Sequence, residues 1–159
     1  MPTPLGDLVV AWSGAALVVA DFADSGLRLD GLIGKAFKNK PQELDVPAVF
    51  RDRFTRYFNG EIAALDGVPV APVGTPFQLA MWRGLRAVPP GERLTYGAMA
   101  ARLGLSATAA RAVGRANALN PISVVIPCHR LTGADGTLTG YAGGLHRKAW
   151  LLRHEGRLV

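Results

Sequence analysis

A short proline- and glycine-rich stretch, GVPVAPVGTP at residues 67–76, divides this chain into two parts of different character. Such a stretch favours extended backbone and cannot continue a helix. Residues 1–75 carry seven Lys or Arg and nine Asp or Glu. Residues 76–159 carry eleven Lys or Arg and only three Asp or Glu. We therefore predict two domains, at residues 1–70 and 71–159.

The second part is basic in a particular way, because ten of its eleven cations are arginine. Guanidinium binds phosphate through two parallel hydrogen bonds and stacks on flat rings. A basic half of this kind favours a polyanion as partner, with nucleic acid the first candidate. The alternative is an ordinary solvated basic surface.

The composition also excludes several classes. One cysteine in 159 residues cannot form an intramolecular disulfide or a multi-cysteine zinc site. We expect neither a metal nor a cofactor. No apolar run reaches the roughly 18 residues that a membrane span needs, and the start, MPTPLGDLVV, lacks the basic region of a signal peptide. We expect a cytoplasmic protein, or a nuclear one in a eukaryote, with no membrane partner.

The first part is predicted to be a small α/β unit. The β-rich runs DLVVAW and ALVVADF are joined by Ser13-Gly14, a plausible hairpin turn. The segment VPAVFRDRFTRYFNG has Phe50, Phe54 and Tyr57 at helical spacing. Its aromatic residues are most simply core, and nothing catalytic stands out.

The second part is predicted to be mostly helical. Thr75 can cap a helix whose first residue is Pro76, and Thr95 and Ser106 can start two more. The last two are short and separated by GLS, an arrangement typical of a helix-turn-helix.

The third of these helices, ATAARAVGRANAL, carries Arg111 and Arg115 on one face. Small residues such as Ala112 and Gly114 make it thin enough to approach a DNA groove. Tight helix packing is the alternative explanation for the small residues.

Three further elements follow. ISVVI has the β-branched content of a buried strand, GADGTLTGY indicates a turn and a short strand that could form a wing, and LHRKAWLLRHEG indicates a final helix. On that helix we expect Leu145, Ala149 and Leu152 to share one face.

The lone thiol, Cys128, precedes His129 and Arg130 in the run PCHR. A thiol becomes a strong nucleophile only as thiolate, which a neighbouring base or cation favours. Glu155, at the C-terminal end of the final helix, is unfavourably placed for the helix dipole, and pairing with His129 would explain it. A buried structural cysteine and a solvated glutamate are the alternatives.

Several of these motifs together resemble one family. NP, a short apolar run, PCHR, and the segments GTPFQLAMWRGLRAVPPGERLTYGAMAARLG and GYAGGLHRKAWLLRHEG are similar, in order and spacing, to the O6-alkylguanine-DNA alkyltransferases, also called methylated-DNA–protein-cysteine methyltransferases. The resemblance covers nearly the whole chain and is loosest in the first part.

The resemblance implies a ribonuclease-H-like α/β domain followed by a mostly α winged helix-turn-helix domain. It implies that double-stranded DNA containing O6-alkylguanine is bound through the minor groove and that the damaged base is flipped out. Flipping is physically required, because a stacked base cannot reach a buried sulfur. A monomer is expected, and cooperative loading on DNA and activity on O4-alkylthymine stay open.

The resemblance also assigns residues. Cys128 would accept the alkyl group, His129 would act as base through a water, and Glu155 would orient His129. Arg111 would fill the gap that the flipped base leaves. The remaining assignments are the turn residue Asn120; the base-pocket residues Tyr96, Leu131, Tyr141 and Ala142; and the DNA-binding residues Arg115, Arg130, Ala112 and Gly114.

Two rival functions remain at this stage. A winged-helix protein that binds DNA without chemistry explains the basic half and leaves Cys128 and His129 without a role. A Cys-His-Glu hydrolase or transferase acting on small substrates explains those two residues and not the arginine-bearing helix. Ala142 stands where some members of the family have serine, which leaves the preferred alkyl group open.

Overall fold

The computed structural model describes residues 1–156, which fall into two compact units. Unit 1 comprises Met1–Val73 and Pro121–Val125, and unit 2 comprises Gly74–Asn120 and the chain from Ile126 onward. Unit 1 is thus discontinuous in sequence. The chain returns to it just before Pro127 and Cys128.

Unit 1 is built on an antiparallel hairpin of β1 (Leu8–Ser13) and β2 (Ala16–Phe22). Gly14 has φ of 56°, the left-handed conformation that the predicted turn requires. Two helices follow, α1 (Leu27–Ala36) and α2 (Ala48–Phe58). The α/β prediction for this part and the α2 prediction are confirmed.

The helix α1 was not predicted. Its apolar residues Leu29, Leu32, Ile33 and Ala36 follow helical spacing and pack on the hairpin around Val19. Two glycines within the helix, each unfavourable there by about 1 kcal/mol, weaken the local signal. Burial of the apolar face outweighs that cost.

The residues predicted as a linker are extended but not free. The Leu17 N–H donates to the Pro69 carbonyl at 2.9 Å, and the Ala71 N–H donates to the Leu17 carbonyl at 2.7 Å. The segment therefore adds backbone hydrogen bonds to β2, which explains why unit 1 extends to Val73.

The prediction of a strand at ISVVI is wrong. Residues 121–130 are all buried, but only Ile122 forms a single bridge, to Ala20. Val124 has φ of 72°, a strained conformation for a β-branched residue, and the Val125 N–H turns back to the Ser123 carbonyl. The β-branched residues of this segment correctly indicated that it is buried. Their interpretation as an extended strand was wrong.

Unit 2 is mostly helical, as predicted, with α3 (Pro76–Arg86), α4 (Tyr96–Arg102), α5 (Ala110–Ala118) and α6 (Leu145–His154). Thr75 caps α3 in a reciprocal capping box: its hydroxyl accepts the Gln78 N–H, and the Gln78 side chain accepts the Thr75 N–H. Thr95 caps α4 and Ser106 caps a 3₁₀ turn that leads into α5. The predicted helix starts at Thr75 and Thr95 are confirmed, whereas α5 begins at Ala110, after the turn that Ser106 caps.

No strand forms in the predicted wing. The only strands of unit 2 within the described chain are β3 (Leu94–Thr95) and β4 (Leu131–Thr132), paired in parallel. After them the Asp135 carboxylate accepts both the N–H and the hydroxyl of Thr137, and the Gly133 N–H returns to the Thr137 carbonyl. These local bonds curl the segment and compete with a ladder.

The buried face of α6 also differs from the prediction. Leu145 is 48% exposed, while Arg147, Lys148, Leu151 and Leu152 are buried. The long polar side chains are accommodated because each head group has a carbonyl to bond: Arg147 donates to Gly143 and Lys148 to Thr139. No helix within residues 1–156 has the length and hydrophobicity of a membrane span.

A buried carboxylate ties the returning segment of unit 1 to β2. Asp21 is fully buried; its Oδ1 accepts the Ser123 hydroxyl at 3.2 Å and its Oδ2 lies 3.0 Å from Arg28 Nε. The Ser123 N–H adds a bond of 2.7 Å to the Ala20 carbonyl. These contacts hold residues 121–125 in unit 1.

We expect Arg28→Leu to lower the free energy of unfolding by about 3 kcal/mol, because Asp21 would stay buried without its cation. Urea unfolding measures this loss. Arg56→Leu is the matched control, since Arg56 pairs with Asp52 and Glu61 on the surface and its loss should be much smaller. Equal losses in the two variants would contradict the importance given to Asp21.

Candidate active site

The thiol sits in a turn at the point where the chain re-enters unit 2. Pro127 precedes a 3₁₀ turn, Cys128–Arg130, and Cys128 is buried as a free thiol. The Cys128 N–H donates to the Ile126 carbonyl at 2.8 Å, and the Leu131 N–H donates to the Cys128 carbonyl. The turn takes Cys128 and His129 out of the alternating geometry of a strand.

His129, Arg130 and Glu155 form a buried cluster. His129 Nε2 lies 2.9 Å from Glu155 Oε1, and Arg130 donates from Nε to Oε2 and from Nη2 to Oε1, each at 2.9 Å. Arg130 Nη1 donates to the Val88 carbonyl. The carboxylate of Glu155 is thus held by a guanidinium fork and an imidazole at once.

Burial lowers the pKa of His129, although the neighbouring Glu155 opposes the shift. The imidazole is therefore neutral at neutral pH. Burial alone would raise the pKa of Glu155, but the hydrogen bonds from His129 and Arg130, together with the charge of Arg130, outweigh it and hold that pKa well below its usual range. An ionised Glu155 fixes Nε2 of His129 as the protonated nitrogen.

The other ring nitrogen, His129 Nδ1, is buried and has no hydrogen-bond partner among residues 1–156. Because Nε2 carries the proton, Nδ1 is the basic atom of the ring. The arrangement has the chemistry of an oriented general base one residue from the thiol.

Two side-chain amides hold the main chain around Pro127. Asn120 Nδ2 donates to the Ile126 carbonyl at 2.8 Å, and Asn117 Nδ2 donates to the Cys128 carbonyl at 3.2 Å. Asn120 was selected from the sequence, whereas Asn117 was not. The spacing of the two amides, three residues apart at the end of α5, is the signal that could have indicated it.

Lys148 is a second residue that sequence reasoning missed. Its side chain is fully buried, and Nζ donates to the Thr139 carbonyl at 2.8 Å. Burial lowers the pKa of Lys148 to about 8, and the charge of Cys128 partly offsets the shift. By reciprocity a protonated Lys148 stabilises the thiolate of Cys128. Lys148 is the only lysine in residues 76–159, which is the signal the sequence offered.

The predicted base-pocket residues have mixed surroundings. The Tyr96 hydroxyl donates to the Thr139 carbonyl at 3.2 Å, the same atom that Lys148 bonds. Leu131 is buried, Tyr141 is partly buried and Ala142 is exposed. Tyr96 and Lys148 are therefore brought together, while Ala142 lies at the surface.

The predicted DNA-binding residues separate into two groups. Arg111, Ala112 and Arg115 are exposed on α5, and Gly114 is partly buried, where an added Cβ would lie 3.8 Å from the Tyr96 ring. Arg130 is only 8% exposed and its guanidinium is bonded to Glu155 and Val88. We therefore withdraw its assignment to DNA binding, because the head group that would bind phosphate is engaged inside unit 2.

Among residues 1–156 no group of three His, Cys, Asp or Glu side chains lies together in a way that could hold a metal ion. The acidic and imidazole groups nearest the thiol are already bonded to each other and to Arg130.

Glu155→Gln is expected to lower the free energy of unfolding by about 3 kcal/mol at neutral pH, because Arg130 would stay buried without a carboxylate. The folded-state pKa of Glu155 lies below its unfolded value. The contribution of the Glu155 charge to the free energy of unfolding is therefore fully present above about pH 5. It is lost as the pH falls below about 4.

Chemical unfolding between about pH 7 and about pH 3 should show the difference between wild type and variant narrowing on acidification. Glu92→Gln is the control, since Glu92 meets Arg102 on the surface at 3.8 Å. A difference that does not change with pH would mean that the charge of Glu155 is not what stabilises the cluster.

Comparison with known proteins gives a consistent result for both parts of the chain. The family model described as "6-O-methylguanine DNA methyltransferase, ribonuclease-like domain" matches residues 1–72, and "6-O-methylguanine DNA methyltransferase, DNA binding domain" matches residues 76–157. Together they span almost the whole sequence.

Individual relatives agree. A methylated-DNA–protein-cysteine methyltransferase of Salmonella typhimurium is 45% identical over 99% of this chain and 94% of its own length. A Haemophilus influenzae protein of the same name is 42% identical over 97% of this chain and 83% of its own. The crystal structure of Mycobacterium tuberculosis OGT in complex with DNA is similar with a TM-score of 0.84 and 35% identity, over 98% of this chain and 89% of that one. This chain therefore belongs to the 6-O-methylguanine DNA methyltransferase family.

Proposed function

We propose that this protein repairs DNA by transferring the alkyl group of O6-alkylguanine directly to Cys128. The observation that carries the proposal is the position of the chain's single thiol beside a neutral, oriented imidazole and a buried lysine. The names of its full-length relatives, methylated-DNA–protein-cysteine methyltransferases, describe the same chemistry.

The reaction is a single displacement. The Cys128 thiolate attacks the alkyl carbon, a carbon–sulfur bond forms, and the bond from that carbon to O6 breaks. The electron pair remains on the guanine, which takes up a proton to become neutral. The thiol proton passes to His129 Nδ1, through a bridging water as the family resemblance implies. Glu155 stabilises the imidazolium that results.

Lys148 supports the same step. Its ammonium favours the thiolate before attack, and its pKa of about 8 leaves most of the population charged at neutral pH. A thioether is the product on the protein, and the groups described around Cys128 include no nucleophile positioned to cleave it. We therefore infer that each molecule reacts once.

For DNA binding, we propose that α4 and α5 act as a helix-turn-helix and that the segment 133–144 takes the place of a wing. Exposed Arg111 and Arg115, with the small residues Ala112 and Gly114 between them, support close approach of α5 to the minor groove. Arg111 then fills the gap left by the flipped base, where a flat cation can stack on neighbouring bases.

The base pocket is proposed around Tyr96, Leu131, Tyr141 and Ala142. The Tyr96 hydroxyl can stabilise the departing guanine by turning its O–H from the Thr139 carbonyl to the base, while Ala142 offers only its backbone N–H near O6. Some members of the family have a serine hydroxyl where this chain has Ala142. The preferred alkyl group and activity on O4-alkylthymine depend on this difference. We expect the protein to act as a monomer where the DNA lies, in the cytoplasm or, in a eukaryote, the nucleus.

Mixing the protein with duplex bearing O6-methylguanine should add one methyl group per molecule, and the peptide holding the mass should be that of Cys128. A methyl group found on cysteine can be assigned to Cys128 without ambiguity, because the sequence has one cysteine. Cys128→Ser should take up no methyl group and still bind the methylated duplex, since the serine hydroxyl is not ionised at neutral pH. Intact mass and a gel-shift assay measure the two properties. A methyl group on any other residue, or transfer in the variant, would disprove the proposal.

The two exposed arginines of α5 should differ in effect. Arg111→Ala is expected to slow transfer at saturating duplex by about tenfold, because the flipped-out state is no longer held open. Arg115→Ala should instead weaken binding and reduce the slope of log affinity against log salt by about one, as for a lost phosphate contact.

Arg83→Ala, on the exposed surface of α3, is the matched control and should change neither property. Single-turnover kinetics and salt titrations separate the two effects. Identical behaviour of all three variants would show that α5 is not the helix that meets DNA.

A further inference from the structure

We propose that Asn117 is a positioning residue for alkyl transfer, which fixes the main chain of Cys128 from the buried face of the helix that meets DNA. The inference rests on the proposed function, because it assigns Cys128 as acceptor and α5 as the DNA-binding helix.

The first support is the contact itself. Asn117 is 4% exposed, and its Nδ2 donates to the Cys128 carbonyl at 3.2 Å. Within residues 1–156 no strand pairs with the turn Cys128–Arg130, and Pro127 has no N–H to contribute. Side-chain amides therefore take the place of a backbone ladder: Asn120 holds the carbonyl before Pro127, and Asn117 holds the carbonyl after it.

The second support is the position of Asn117 on α5. The residue before it, Ala116, has its carbonyl bonded by Trp82 Nε1 of α3 at 2.9 Å. Asn117 is thus on a part of the helix that is itself pinned within unit 2. The opposite face of α5 carries exposed Arg111 and Arg115. One rigid helix therefore contacts the acceptor's main chain on one face and presents its cations on the other.

The third support is an unfavourable feature that stability does not explain. Asn117 Oδ1 is buried without a hydrogen-bond partner among residues 1–156. A buried, unpaired acceptor is costly, whereas leucine has nearly the same shape and no such group. The Cys128 carbonyl would still accept the Leu131 N–H if Asn117 were replaced. Stability alone therefore does not explain an asparagine at position 117, and the residue has a role other than stabilising the fold.

The critical variant is Asn117→Leu. We expect it to be as stable as wild type or more stable, to bind O6-methylguanine duplex with unchanged affinity, and to transfer the methyl group about tenfold more slowly at saturating duplex. The unchanged affinity combined with a slower saturated rate is what distinguishes positioning from a general structural role.

Val113→Ala is the matched control, because Val113 is buried on the same face of α5 and its side chain offers no hydrogen bond to the thiol turn. It should lose stability and keep the saturated rate. Asn117→Ala serves as a second test of the lost bond and should be slow like Asn117→Leu, whatever its stability.

The proposal is overturned if stable Asn117→Leu reacts at the wild-type rate, or if its slower reaction is fully explained by weaker binding. It is also overturned if Val113→Ala slows transfer to the same extent. These results assume that wild type takes up the methyl group on Cys128. If wild type takes up no methyl group on Cys128, the proposed function itself fails. Measuring methyl uptake by wild type therefore distinguishes failure of the proposed function from failure of the Asn117 proposal.

Discussion

The candidate active site depends on one buried ion cluster. Glu155 is buried at the end of α6, where neither the helix dipole nor the surroundings favour a negative charge, and it is stable there only because Arg130 and His129 meet it directly. The cluster in turn fixes the tautomer of His129, which decides which nitrogen is basic. Electrostatics therefore determine both the position and the chemistry of the group beside the thiol.

Two side-chain amides link the C-terminal end of α5 to the main chain around the thiol turn. Asn117, in the last turn of α5, donates to the Cys128 carbonyl, and Asn120, just beyond the helix, donates to the Ile126 carbonyl. The final helix, α6, supplies Lys148 and Glu155 from one buried face. The candidate site is thus made by helix ends and turns of unit 2.

Sequence reasoning recovered what local chemistry determines. Thr75, Thr95 and Ser106 were found because capping hydroxyls have a specific local use, and His129 was paired with Glu155 because a carboxylate at a helix C-terminus is misplaced unless it has a partner. It failed where an interaction joins distant residues. Arg130 was assigned to DNA binding, and the carboxylate that engages it is twenty-five residues away in the chain. Lys148 and Asn117 were missed for the same reason, and ISVVI was misread because β-branched residues report burial as well as strand geometry.

The return of Pro121–Val125 to unit 1 has a consequence for synthesis of the chain. Asp21 emerges from the ribosome long before Ser123, from which it is separated by 102 residues, so its carboxylate cannot meet that hydroxyl until most of unit 2 exists. Unit 1 therefore stays incomplete until Pro121–Val125, the segment that leads to the turn of Cys128, has been synthesised. Unit 1 of a nascent chain is therefore completed only after the residues of α5 have been made.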